Sequence, residues 1–239
     1  MDLIMKSREM RFSIFIFFSF ILVLAYTSTC VGEVLFEDDF EGGTVDKKKW
    51  NPAETWVVKK GVLDANGGEV GITVKNGFTD FEFYADFNML SANKFAPNFV
   101  LRAKDKDNCT LVQLVADARN QFWWFTKVGG KYIVDAKNFQ ANESGVKPEL
   151  GKWYSIKLVA KGNRYEIYLG EQGKELKLAC TWEDKTHNKG GIGFREGAGE
   201  HCKYDNVVVT TIGHSFDNAT PVNKNDKLPT MWGNIKRSY

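Results

Sequence analysis

From Val34 onward the apolar residues of this chain fall in short runs, each broken by Gly, Asn or Asp. The clearest run sets Phe81, Phe83, Ala85, Phe87 and Met89 against Glu82, Tyr84, Asp86 and Asn88. Strict alternation of this kind predicts a β-strand with one face in a core and the other turned outward. A second pattern joins two strands. Tyr154, Ile156, Leu158 and Ala160 alternate with Ser155, Lys157 and Val159, and after Gly162-Asn163 the residues Tyr165, Ile167 and Leu169 do the same. A hairpin across Gly162-Asn163 brings both apolar sets to one face. Gly129-Gly130 marks another tight turn.

Further strands are predicted over Val34–Phe36, Thr55–Lys59, Gly61–Asp64, Phe99–Ala103, Leu111–Ala116 and Gln121–Val128. The set closes with Leu176–Trp182, Gly191–Arg195 and Tyr204–Thr210. No stretch of this region keeps a helical period. Many short strands with turn signals and no helices predict an all-β sandwich or barrel.

The two ends differ. Lys6, Arg8 and Arg11 precede an apolar run from Phe12 to Tyr26, which gives way to Thr27, Ser28 and Thr29. A basic start, a short apolar run and a small-residue exit predict a secretory signal over residues 1–32. The run is shorter than the roughly 20 residues of a spanning helix, so membrane attachment is expected only if this signal stays uncleaved. Residues 33–212 then form the sandwich. Residues 213–239 are a polar linker followed by a short amphipathic segment, in which Leu228, Met231, Trp232 and Ile235 share a helical face behind Pro229. That segment is a candidate contact for a protein partner.

Composition narrows the partners. Lys+Arg 32 against Asp+Glu 30 leaves no basic footprint for nucleic acid. An aromatic content of 14% exceeds what turns require and suits a core with rings to spare for a binding face. Export implies an oxidising environment, so Cys30, Cys109, Cys180 and Cys202 need accounting. Cys180 and Cys202 flank one predicted strand and are the favoured disulfide, the alternative being buried thiols. Asn108-Cys-Thr, Asn142-Glu-Ser and Asn218-Ala-Thr fit the glycosylation sequon, which matters only in a eukaryotic host.

Several segments together carry a family resemblance. They are Leu35-Phe-Glu-Asp-Asp-Phe, Trp56, Gly61-Val-Leu, Phe78-Thr-Asp-Phe-Glu-Phe, Val100-Leu-Arg, Gly151-Lys-Trp-Tyr-Ser-Ile-Lys-Leu, Gly190-Gly-Ile-Gly-Phe and Tyr204-Asp-Asn-Val-Val-Val. In this order they resemble the concanavalin A-like lectin/glucanase superfamily, and within it the 3-keto-disaccharide hydrolase (family-16 glycoside hydrolase-like) group. The resemblance implies a two-sheet antiparallel jelly-roll sandwich. It also implies a concave face to which Arg102 and Gln113 contribute, and a calcium ion clipping the first and last strands, for which Asp38, Asp39 and Asp205 are the candidates.

Catalytic chemistry has little to stand on. Glu37, Asp39 and Glu41 match the spacing of a paired-carboxylate hydrolase, but they sit on the opening strand and Gly42-Gly43 ends it at once. His187, His201 and His214 have no nucleophile elbow to serve. Binding is better supported. Trp123 and Trp124 are adjacent, so on a strand they point to opposite faces, and one ring is left outside the core. With Arg102, Gln113 and Arg195 on neighbouring strands, an outward Trp makes a sugar platform, since a pyranose pairs an apolar face with a polar rim. The expected function is secreted or surface carbohydrate binding. Hydrolysis of the 3-keto-disaccharide type and a structural or adhesion role are the alternatives.

Overall fold

A computed structural model describes residues 32–91 and 96–213. The predicted leader, Cys30, the sequon at Asn218 and the tail segment around Trp232 lie outside the described residues. Among those described, the chain runs through β1 (Val34–Asp38), β2 (Trp50–Asn51), β3 (Val57–Lys59), β4 (Val62–Asn66) and β5 (Glu69–Thr73) to the long β6 (Phe81–Ser91). Next come β7 (Asn98–Asp105), β8 (Asn108–Val115), β9 (Gln121–Val128), β10 (Lys131–Ile133) and β11 (Phe139–Ala141). The last five are β12 (Trp153–Lys161), β13 (Arg164–Glu171), β14 (Lys177–Glu183), β15 (Gly191–Glu196) and β16 (His201–Thr210). No described helix is long and apolar enough to cross a membrane.

These strands make two antiparallel sheets. The first runs β14-β13-β12-β6-β16-β4-β3, with β1 also paired to β16; the second runs β10-β9-β8-β7-β15-β5-β2, with β11 also on β9. This is the jelly-roll sandwich that the strand pattern and the resemblance imply. β6 keeps its alternation, sending Phe81, Phe83, Phe87 and Met89 into the space between the sheets. Phe99, Phe194 and Tyr204 meet them there, Phe194 and Tyr204 stacking with centroids 3.8 Å apart. Each such ring contributes about 2–3 kcal/mol by leaving water. Four strands fall outside the predicted set: β2, β5, β10 and β11. Three of them are two or three residues long, and β5 is masked by glycine. Gly71 of β5 is obligatory, because a Cβ there would stand 2.4 Å from the Trp56 ring.

The favoured disulfide is not formed. Cys180 on β14 and Cys202 on β16 belong to one sheet but are separated by β13, β12 and β6. Four strand spacings amount to roughly 19 Å, well beyond the reach of about 7 Å that a disulfide bridges. Cys109, Cys180 and Cys202 are all free and buried, and burial pushes the thiols of Cys109 and Cys180 up to about 12. A thiol-reactive dye should therefore label none of the three in the native sandwich and all of them in denaturant, with a reducing agent leaving the melting temperature unchanged. Native labelling, or a melting temperature lowered by reductant, would contradict this.

Candidate functional site

The outward face of the second sheet is set by its register. Trp123 of β9 lies opposite Gln113 of β8, which lies opposite Asn98 of β7. Phe194 pairs with Phe99 across β15 and β7, and the same register puts Arg195 beside Asn98 and opposite Val70 of β5. A row of Trp123, Gln113, Asn98 and Arg195 thus crosses four strands. The next row is apolar: Phe125, Leu111, Val100, Gly193 and Ile72. Together with Val70, Ala103 and Cys109, these apolar residues form a second cluster separate from the inter-sheet core.

A strap lies across this face. β10 stands at one edge of the sheet and β5 lies near the other, yet the Tyr132 hydroxyl donates to Glu69 Oε2 at 2.9 Å. The hairpin after Gly129-Gly130 must curl back over the sheet for this to occur. The Tyr132 ring meets Phe125 edge-on at 5.7 Å, with Lys127 at 5.3 Å and the Arg195 guanidinium at 5.7 Å from its centroid. Burial is the first reason that the Tyr132 hydroxyl is held above its ordinary range. Trp123 is fixed from the same segment: its indole N–H donates to the Asp135 carbonyl at 3.1 Å, and its ring stacks on Phe139 at 4.8 Å. Asp135 in turn caps the short 3-10 turn at Ala136–Asn138, accepting from the Lys137 N–H.

At the β5 end the charges gather. Arg195, its side chain 16% exposed, stands 3.7 Å from Glu69 Oε1 and 3.5 Å from Glu200 Oε2. Both are ion-pair separations too long for good hydrogen bonds, and the buried Nε of Arg195 has no partner among the described residues. Glu200 is better satisfied, accepting from Asn98 Nδ2 at 3.1 Å and from the Gly197 N–H. Burial raises its carboxyl above the usual range. Beneath this rim, inside the sandwich, Glu196 is wholly buried against the Tyr204 hydroxyl, and loss of solvation pushes its carboxyl up to about 8.

The structure brings Gln113, Trp123 and Arg195 together, as expected of a shared face, and leaves two predicted residues out. Trp124 points inward by alternation and stacks on Trp182 with centroids 6.1 Å apart. Arg102 follows a break in the β7–β8 register with a φ of 49°, which turns its side chain between the sheets. Only 1% exposed, it donates to the carbonyls of Thr79, Gly162 and His187 and to the Tyr165 hydroxyl. It is a clip joining the ends of the two sheets, not a residue of the face.

The calcium expectation also fails on geometry. Asp38 accepts from Trp50 Nε1 at 2.7 Å and from the Phe40 N–H at 3.1 Å, tying β1 to β2. Asp39 caps a turn at the Glu41 N–H, and Asp205, on the β16 strand that pairs with β1, accepts instead from the Asn206 N–H. No metal-capable group of three His, Cys, Asp or Glu side chains forms among the described residues, so these aspartates do not fit a calcium site. Glu37, Asp39 and Glu41 do not share a strand face either, because β1 ends at Asp38. Sequence reasoning missed Asn98, Glu69, Tyr132 and Glu200. Period two through Asn98 and Val100 carried a signal for the first.

The model of the 3-keto-alpha-glucoside-1,2-lyase-like domain matches residues 33–210, from β1 to the end of β16. The chain belongs to this family. The match covers the whole described sandwich and bears out the 3-keto-disaccharide resemblance read from the sequence. No protein of curated function matches the chain in sequence. Among solved structures, it is similar to the carbohydrate binding module CBM66 from Bacillus subtilis, at 20% identity and a TM-score of 0.54, covering 69% of this chain and 96% of that one. It is also similar to the exoplasmic/lumenal domain of VIP36 in its Ca2+/Man-bound form, at 10% identity and a TM-score of 0.54, covering 80% and 97%. The GH43 protein BlXynB from Bacillus licheniformis (K247S mutant) gives 14% identity and a TM-score of 0.53, this chain spanning 39% of that longer protein and 73% of its own length. At these identities the three share the fold of the family's domain.

Proposed function

We propose that this chain is exported and binds carbohydrate on the outward face of the second sheet. What carries the reading is the edge where the partly exposed Trp123 and Arg195 meet the exposed Tyr132 and Glu69, held from below by the buried Gln113, Asn98 and apolar strip. Its rings can meet the C–H face of a sugar and its charged and hydroxyl groups the sugar's polar rim. Export rests on the basic, apolar and small-residue order of the first 32 residues. The family and the folds of a carbohydrate binding module and a mannose-bound lumenal domain support the same ligand class.

A glycan array probed with the full chain tests this. Arg195→Ala and Tyr132→Ala should each weaken the best ligand by about 10–100-fold, the loss expected when a charged or hydrogen-bonding group is removed from a site. Melting temperatures should stay close to the parent. Binding that survives both substitutions would place the site elsewhere.

The carboxylates beside Arg195 favour a second reading, cleavage of a 3-keto-glucoside. The C3 carbonyl of such a sugar acidifies the C2 proton; a carboxylate that took this proton would expel the C1 substituent, with a guanidinium countering charge on the carbonyl oxygen. Glu200→Gln separates the two readings. Turnover lost with binding retained supports cleavage, and binding by a parent protein that turns over no 3-keto-glucoside supports recognition alone.

A further inference from the structure

The charged end of the proposed sugar face has an uneven balance. At the rim on β15, Arg195 is flanked by two carboxylates, Glu69 from β5 and Glu200 from the turn before β16. Lys127 is drawn off to Asp107 at 3.1 Å, and Arg119 to Asp117 at 2.8 Å. Among the described residues, therefore, the rim carries more negative than positive charge.

Neither carboxylate is there by accident of a loose surface. Glu69 adopts a φ of 68°, a left-handed conformation that a non-glycine residue rarely takes without compensation. Tyr132 holds it there from across the sheet. Glu200 is held by Asn98, which is fully buried, and by the Gly197 N–H. Arg195 itself is poised and unsaturated: its nitrogens lie at ion-pair distance from both acids, and its Nε has no described partner.

We propose that Glu69 and Glu200 make this face selective for neutral sugars, rejecting those that carry a carboxylate. The inference rests on the carbohydrate-binding reading. An alternation of carboxylate, guanidinium and carboxylate gives acceptor, donor and acceptor in turn, which suits adjacent hydroxyls, each able to donate and accept. An anionic sugar would meet Arg195 only by bringing its own charge against two carboxylates in a half-buried rim, where like charges repel more strongly than in water.

Matched pairs of oligosaccharides test this on the full chain: galactan against galacturonan fragments, xylan against glucuronoxylan fragments, and lactose against sialyllactose. In any pair that binds, the neutral member should be at least tenfold tighter. Glu69→Gln keeps an acceptor for Tyr132 and removes the charge, so it should narrow that gap at least threefold by strengthening the acidic member; Glu200→Gln should act in the same direction. An acidic member that binds as well as its neutral partner, or a ratio unmoved by both substitutions in proteins with parental melting temperatures, overturns the inference and leaves carbohydrate binding standing. If no member of any pair binds, and neither does any glycan of the array, the reading beneath it falls too.

Discussion

Arg102→Met is expected to destabilise the sandwich by about 3–5 kcal/mol, although its side chain is far from the sugar face. The magnitude follows from what the guanidinium leaves behind. The Thr79 and Gly162 carbonyls and the Tyr165 hydroxyl lose the guanidinium at once, while the His187 carbonyl keeps only the Tyr165 hydroxyl at 3.4 Å, and an abandoned part-buried acceptor costs about 1–3 kcal/mol before any water enters to relieve it. Methionine fills the aliphatic volume, so the loss belongs to the head group. Lysine should recover little, because a single ammonium cannot serve carbonyls on three loops or lie flat over the Tyr165 ring, 5.0 Å from the guanidinium carbon. Arg102→Gly supplies a control. It relieves the left-handed backbone, worth about 1 kcal/mol, yet it should still be strongly destabilised. Urea unfolding curves measure all three. A methionine variant within 1 kcal/mol of the parent would show that the clip is dispensable.

Glu196→Gln should have the opposite sign and depend on pH. In the folded domain Glu196 keeps its proton up to about 8, chiefly because it is desolvated. In the unfolded chain the same carboxyl releases it near the ordinary value of 4.5. Between these two values the folded state binds one more proton than the unfolded, so stability is greatest below the lower value and falls as pH rises through the window. Glutamine has nothing to ionise and can still accept from Tyr204. The two proteins should therefore match near pH 5, and by pH 8 the variant should be more stable by about 3 kcal/mol, allowing for some relaxation of the full linkage. Parallel melting curves at pH 5, 6.5 and 8 suffice. A constant difference across that series would mean that Glu196 is ionised in the native core.

Much of this architecture was legible in advance. Wherever one face of a strand is apolar for several residues, as along β6, β12 and β13, period two fixes which side chains face the core, and the structure obeys it. The site was legible by half. Gln113, Trp123 and Arg195 could be placed because each sits inside a well-marked strand. Trp124 and Arg102 show two kinds of limit. Adjacent tryptophans announce opposite faces but not which of them is inside; that depends on Trp182, which is distant in sequence. A charged residue at a register break is free to turn inward, and neither the left-handed φ of Arg102 nor its partners on three separate loops leave a local trace. Glu69 was hidden by the glycines around β5, which a strand pattern reads as loop. Tyr132 was hidden because only the curl of the β9–β10 hairpin brings it over Arg195. The cysteines mark a different limit: flanking one predicted strand says nothing about strand order, and three intervening strands decided the matter.

The pairing of β1 with β16 has a practical consequence. The Glu33 N–H donates to the Thr211 hydroxyl at 2.8 Å, and the Thr211 N–H donates to the Glu33 carbonyl at 2.9 Å. The polypeptide thus enters and leaves the sandwich at one spot, as a bead threaded through a single hole. Such a unit can be spliced into an exposed loop of a host protein with little strain, or have its ends joined and be reopened at a hairpin such as Gly162-Asn163. Whatever precedes residue 33 and follows residue 211 is joined to the sandwich at this one point.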